Sequence, residues 1–156
     1  MHVFTYTDAR NNLKSVLDKV IDDRGRLKDN ASSELQSIRR QLVSQENDLR
    51  KKLDSILRNA RSNGWVSDDF SLTLRNGRMV IPLAAEHKRK IKGFIHDESA
   101  SGQTVYLEPE EVFTLNNKLR DLEFDRRREI IKILIALTSE LRPYTPLLLS
   151  YHGFLT

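Results

Sequence analysis

The stretch Ile91–Pro109, IKGFIHDESASGQTVYLEP, decides the fold, because its character changes from strand to turn to strand to helix. Ile91–Asp97 mixes apolar and polar residues, as a half-buried strand does. Ser99–Gly102 consists of small residues that suit a turn, and Thr104–Leu107 is β-branched and aromatic, as strands prefer. We place Pro109 at the first position of a helix, where its fixed φ and missing N–H cost nothing.

Long amphipathic segments lie on both sides of this stretch. Residues 32–63 carry leucine and isoleucine at three- and four-residue spacing, with Ser32 as the predicted N-cap, and residues 109–142 repeat the pattern. A narrow apolar seam on a charged helix is typical of a coiled-coil-like hairpin. Because a compact β element joins two helices of similar length, we expect them to pair antiparallel.

Asn76-Gly77 is the clearest local signal, since it lies between two segments of alternating polarity. This dipeptide predicts a two-residue hairpin with a type I′ turn. The register then places Arg75 opposite Arg78, and two like charges across a ladder are unfavourable without a partner. Either the two arginines splay into solvent, or they form a tip that binds phosphate.

These segments predict an α+β fold: a long antiparallel helical pair, a coiled-coil-like lever, with a small four-stranded antiparallel β module at one end. The apolar end of the chain suggests a piece whose last helix packs on missing sequence. The expected organisation is an N-terminal helix and turn over residues 1–31, lever helices over 32–63 and 109–142, a clamp-like β module over 64–108, and the start of a further helix over 143–156.

Composition limits the class of protein. The chain of 156 residues has no cysteine, which excludes disulfides and thiolate metal sites. No apolar run approaches the ~20 residues that span a bilayer, and the N-terminus lacks the pattern of a signal peptide. We therefore expect a cytoplasmic location and no membrane partner. The net charge is +4, and the basic residues are grouped in clusters. Such clusters either attract phosphate backbones or form solvated helix faces balanced by aspartate and glutamate.

Known catalytic and metal-binding motifs are not evident in the sequence. No glycine is followed by lysine, so the phosphate-binding loop of an NTPase is absent. His96-Asp97-Glu98-Ser99 contains the residue types of a hydrolytic triad, but strand neighbours point to opposite faces and cannot relay one proton. His96 with Glu98 and Glu108 is a weak metal candidate, since three convergent ligands are not visible. We expect no enzyme activity, metal or cofactor in this segment.

Charge and position single out a group of basic residues as phosphate contacts at the tip of the β module. Ser99, Ser101 and Gly102 form either a tight turn that needs small residues or an anion site made of exposed backbone N–H groups. Trp65 either packs the hairpin onto the helices or stacks on a base. The proposed phosphate contacts are Arg75, Arg78, Lys88, Arg89, Lys90 and Lys92.

Several short motifs, taken together and in order, resemble the MutS family. The match is to its type-two branch, whose members carry a C-terminal Smr domain. It covers roughly Ile21 to Leu141. The motifs are LKDNASSEL at Leu27–Leu35, Ile38-Arg39, GRMVIP at Gly77–Pro82, KGFIHDESASGQT at Lys92–Thr104, Glu108-Pro109 and LNN at Leu115–Asn117.

The resemblance implies that the segment contains the lever helices and clamp of a homodimeric ATPase that closes around a nucleic acid. The type-two branch is associated with branched DNA, suppression of recombination, DNA repair and collided ribosomes, so DNA or ribosomal RNA is the implied partner. ATP and Mg²⁺ belong to the parent protein's ATPase site, and the nuclease-like Smr domain also lies outside this chain. The residues leave one alternative open: a structural helical hairpin that dimerises or binds protein without touching nucleic acid.

Overall fold

The computed structural model describes residues 6–155, so residues 1–5 and Thr156, at the ends of the predicted terminal segments, lie outside the described residues. The α-helices are α1 (Tyr6–Val20), α2 (Ser33–Ser62), α3 (Phe113–Leu141) and α4 (Thr145–Leu155). The strands are β1 (Thr73–Arg75), β2 (Arg78–Ala84), β3 (Gly93–Glu98) and β4 (Thr104–Pro109). Short 3-10 turns lie at Ala85–His87, Glu110–Val112 and Arg142–Tyr144.

The four strands form one antiparallel sheet in the order β1-β2-β4-β3, and the predicted α+β class with a long helix pair is confirmed. The predicted hairpin register is also confirmed, with Arg75 opposite Arg78. Asn76 has φ 51° and Gly77 has φ 73°, the two positive values that a type I′ turn requires. No helix in the described part of the chain is long and apolar enough to cross a membrane.

A β-bulge interrupts the pairing of β3 with β4. Ile95 pairs with Leu107 and Asp97 pairs with Tyr106, which leaves His96 without a partner residue across the ladder. A bulge of this kind turns the extra side chain away from the regular alternation of a strand. His96 is therefore directed by the bulge and not by strand periodicity.

The predicted helix start at Pro109 is wrong. Pro109 is the last residue of β4 and pairs with Gly93, and α3 begins only at Phe113. The reason is that pairing continues past the proline, because the N–H of Glu110 donates to the carbonyl of Lys92 at 2.9 Å. One 3-10 turn then separates the end of the strand from the helix.

The chain divides into two compact units, of which the first combines the residues up to Arg40 with those from Phe124 onward. In this unit Ser32 caps α2, as predicted: the N–H of Leu35 donates to Ser32 Oγ at 3.0 Å. Ser32 Oγ in turn donates to Glu129 Oε1 at 2.8 Å. The start of α2 is thereby tied to the second half of α3.

The second unit comprises Gln41–Glu123 and holds the sheet. Its core forms where one face of α2 and the start of α3 cover β2 and β4, because apolar residues recur at helical spacing on α2 and alternate along β2. Trp65 packs against this core, and its carbonyl accepts the N–H of Ala84 at 3.1 Å. The buried members are Leu49, Leu53, Leu57, Ala60, Val66, Met79, Ile81, Leu83, Val105 and Val112.

Candidate nucleic-acid interface

Arg75, at the tip of the β1-β2 hairpin, is held by internal contacts. Its Nε lies 3.3 Å from Asp97 Oδ2 on β3, and its guanidinium carbon lies 3.9 Å from the ring centroid of Tyr106 on β4. A carboxylate matches its charge, and an aromatic ring covers its flat face. These contacts offset the charge of Arg75 and cover one face of its guanidinium, so Arg75 is less available to a phosphate than an unpaired cation.

Arg78 points into a buried cluster around Glu108. Only 1% of the Glu108 side chain is exposed, and its Oε2 lies 3.3 Å from Arg78 Nε and 2.5 Å from His96 Nε2. The bulge described above brings His96 to this position. Arg78 also donates to Asn117 Oδ1 at 2.8 Å. Burying a carboxylate without partners is costly. Arg78 and His96 offset the desolvation cost of the Glu108 side chain.

The side chain of Asn116, on α3, makes hydrogen bonds to β2 that Pro109, which has no N–H, cannot make. The register of β2 with β4 extrapolates to Met79 opposite Pro109, which has no N–H to donate. The Asn116 side chain replaces it, accepting from the N–H of Met79 and donating to the carbonyl of Met79, both at 3.3 Å. Asn116 also donates to Glu108 Oε1 at 2.8 Å. The cluster therefore joins α3 to the sheet.

The predicted phosphate contacts and turn residues do not include Glu108 or Asn116, and Glu108 enters the sequence analysis only as part of the weak metal candidate. One signal in the sequence points to Asn116: a polar residue on the flank of a helix's apolar seam needs a partner, which predicts a hydrogen bond to the β element. The bonds of Asn116 to Met79 confirm that prediction. A second signal is a proline at the end of a strand, which leaves a carbonyl on the neighbouring strand unpaired. Both signals indicate a structural role for the cluster.

The other four predicted basic residues lie together in the loop that leads into β3. Lys88, Arg89, Lys90 and Lys92 are all exposed. Within residues 6–155 none of the four forms an ion pair. Backbone bonds shape the loop, since the N–H of Lys90 donates to the carbonyl of His87 at 2.8 Å. The structure thus separates four free cations from the two arginines that are paired internally.

A groove with a volume of about 550 Å³ adjoins this basic loop within the second unit. Lys90 and Lys92 line it, and Trp65 contributes an aromatic surface. Lys52 Nζ and Glu111 Oε2, also in the lining, lie 2.7 Å apart and neutralise each other. Small-molecule sites in proteins span roughly 300–1,000 Å³, so the groove is large enough for a ligand.

Several backbone donors of the loop between β3 and β4 bond within the loop. The N–H of Gly102 donates to the carbonyl of Ser99 at 2.8 Å, and the N–H of Thr104 donates to Ser99 Oγ at 3.0 Å. Ser101 Oγ lies 3.3 Å from Ser99 Oγ, and Gly102 has φ +70°, which favours glycine. These contacts support the interpretation of Ser99, Ser101 and Gly102 as a tight turn.

The residue types that suggested a metal do not converge within the described residues. His96 and Glu108 are in contact, but Glu98 is exposed and outside their cluster. Among residues 6–155 no group of three or more histidine, aspartate and glutamate side chains is placed to hold a metal ion.

Curated proteins that carry the name Endonuclease MutS2 match most of the chain, among them proteins from three different genera. The protein from Enterococcus faecalis is 42% identical over 132 residues, which cover 85% of this chain and 16% of that protein. The protein from Lactococcus lactis subsp. lactis is 43% identical, covering 81% and 16%. The protein from Gemmatimonas aurantiaca is 35% identical, covering 92% and 18%. No protein-family model matches the chain.

The antiparallel sheet, the long helix pair and this similarity together define a segment of a MutS-type protein. The chain belongs to the MutS family, in the type-two branch that these relatives represent. It spans only 16–18% of the length of the curated relatives described here.

Proposed function

We propose that this segment is a non-catalytic lever and clamp element through which a MutS-family protein contacts the backbone of a nucleic acid. The observation that carries the proposal is the exposed loop with Lys88, Arg89, Lys90 and Lys92, which lacks an ion-pair partner within the described residues. Unpaired cations on one short loop attract phosphates, and the release of counterions favours binding. Arg75 and Arg78 contribute indirectly, by fixing the sheet beside this loop.

The two long helices suit the role of a lever. α2 has 30 residues and α3 has 29, and a continuous helix transmits displacement along its axis. In the parent protein, ATP and Mg²⁺ would bind outside this segment and drive that movement, and a homodimer would bring two clamps together. We propose branched DNA and ribosome-associated RNA as the ligands, in the cytoplasmic settings of recombination suppression, DNA repair or ribosome rescue.

A fluorescence anisotropy titration at low salt tests the basic loop directly. The test variant carries Lys88→Ala, Arg89→Ala, Lys90→Ala and Lys92→Ala, and it should bind labelled branched DNA about tenfold or more weakly. The matched control replaces four exposed cations elsewhere and should bind nearly as well as the unmodified chain. These control substitutions are Lys14→Ala, Lys19→Ala, Lys51→Ala and Arg58→Ala.

Both variants lower the formal net charge from +4 to 0, so a difference between them reports the position of the charge and not its total. Equal weakening would overturn the assignment of the loop. Repeating the titration with a ribosomal RNA hairpin distinguishes the two classes of ligand, because the tighter binding identifies the preferred one.

A second candidate function is a structural module that dimerises or binds protein. It is favoured by three exposed apolar residues on α3, since Ile131 is 57%, Leu134 is 42% and Ile135 is 63% exposed. Sedimentation velocity with and without branched DNA separates the candidates. A dimer that does not change its sedimentation with DNA supports the structural module.

A further inference from the structure

We infer that the groove beside the basic loop is a site for an unpaired nucleotide, whose base lies against Trp65 and whose phosphates meet Lys90 and Lys92. The inference rests on the proposed nucleic-acid contact and deepens it, because it names single-stranded nucleic acid as the occupant of the groove. Duplex DNA would then be held by the basic loop alone.

The lining of the groove includes an aromatic surface that packs on the core. Trp65 is packed on one side against the buried core of the second unit, and its carbonyl is bonded to the N–H of Ala84. Ile56 and Ile91 extend the apolar lining beside it. An aromatic ring that is packed on one side loses less conformational freedom when it stacks on a base than a fully exposed ring does.

The charged side chains around the groove favour phosphates on the side of Lys90 and Lys92. Lys90 and Lys92 line it without an ion pair in the described residues, whereas Lys52 is paired with Glu111. Glu110 also lines the groove and repels phosphate from its own side. A strand that runs along the basic loop would therefore place its phosphates at the lysines and direct a base toward Trp65.

The requirement for an unpaired base follows from the chemistry of stacking. In a duplex each base face is covered by its neighbours, so a base reaches an aromatic side chain only after it has left the stack. A single strand has free base faces and tolerates any sequence at such a site. The groove should thus discriminate single strands from duplexes while the basic loop does not.

Trp65 is the chain's one tryptophan, so tryptophan fluorescence, excited at the red edge where the four tyrosines absorb little, reports this groove. We expect an oligothymidine of about 15 nucleotides to quench the fluorescence. An abasic strand of equal length offers the same phosphates without bases, and it should bind about tenfold more weakly and leave the fluorescence unchanged. A duplex should bind without quenching.

Filling the groove provides a second test that leaves the core intact. Ser55 lines the groove from an exposed position on α2, and Ser55→Phe should abolish quenching and weaken single-strand binding about tenfold without changing duplex binding. Ser44, exposed on α2 and outside the groove lining, provides the matched control Ser44→Phe, which should change neither.

The outcomes separate this inference from the proposed function. Suppose that duplex binding responds to the loop substitutions while oligothymidine and the abasic strand behave alike. The groove assignment is then wrong and the proposed function stands. If neither duplex nor single strand binds at low salt, both are wrong.

Discussion

Asn116 is the residue that ties α3 to the sheet most directly. Asn116→Ala leaves three buried groups without their partner: the N–H and the carbonyl of Met79, and Glu108 Oε1. We expect the free energy of unfolding to fall by about 2–4 kcal/mol, because each unsatisfied buried polar group carries its full desolvation cost. Urea denaturation measures the effect as a lower midpoint with an unchanged slope.

The neighbouring asparagine is the matched control for this prediction. Asn117 is exposed, and its Oδ1 accepts one hydrogen bond from Arg78. Asn117→Ala should cost less than about 1 kcal/mol, since water can replace the lost partner. Similar losses for the two substitutions would show that the contacts of Asn116 do not stabilise the sheet.

Asp22, in the first unit, is the residue for which a pH effect is expected. The backbone N–H of Arg26, donating to Asp22 Oδ1 at 2.8 Å, is the main cause that lowers the pKa of this carboxyl below its ordinary value of 3.8. The contribution of Asp22 to stability is therefore fully present above pH 3.8 and is lost as the pH falls through the lower pKa of the folded state. An NMR titration should give an Asp22 midpoint below 3.8, and a midpoint at or above that value would contradict the turn geometry.

The partners of the hairpin arginines were beyond the reach of the sequence. The like-charge pair was predicted correctly, because the turn and register are local properties of Asn76-Gly77. The carboxylates that resolve it, Asp97 and Glu108, lie on β3 and β4, strands later in the chain. The local sequence pattern predicts that Arg75 and Arg78 lie opposite each other. Only the tertiary structure shows that Asp97 and Glu108 offset their charges.

At the scale of helices and strands, the predictions were correct where the signal is local. They failed where strand pairing extended past the expected end of an element. Ser32 caps α2 through a contact three residues away, which a sequence motif captures. Pro109 satisfied the local rule for a helix start, but pairing with Gly93 on the adjacent strand kept it in the sheet. The bulge at His96 was also missed, since a register shift leaves no fixed mark in one strand's sequence.

β3 depends on the absence of a side chain at Gly93. A Cβ at this position would lie 2.1 Å from the carbonyl oxygen of Glu108 and 2.9 Å from Pro109 Cα, and both atoms belong to the backbone of β4. Gly93→Ala must therefore push β3 away from β4, and we expect a loss of about 1–3 kcal/mol. Hydrogen exchange measured by NMR should show reduced protection of the β3 amides.

Gly153 provides the contrasting substitution. It lies in α4, and a Cβ there meets nothing within 4 Å. Gly153→Ala should leave the protection of β3 unchanged and stabilise the helix by up to about 1 kcal/mol, because alanine favours helix. Unchanged β3 protection in both variants would mean that β3 tolerates a side chain at Gly93.

At the scale of the whole molecule, the salt dependence of the binding constant reports the number of phosphate contacts. Four free cations on the basic loop predict a plot of log K against log salt concentration with a slope of about −3.6 for a duplex, since each contact contributes about −0.9. Affinity should then fall on the order of 10²-fold between about 50 and 200 mM salt. Lys90→Ala alone should make the slope less steep by about 0.9, whereas Lys51→Ala, a substitution of an exposed lysine on α2, should leave it unchanged.

A slope near −5.4 would instead indicate about six contacts. Arg75 and Arg78 would then be phosphate contacts despite their pairing with Asp97 and Glu108, and Arg75→Ala would reduce the slope as much as Lys90→Ala does.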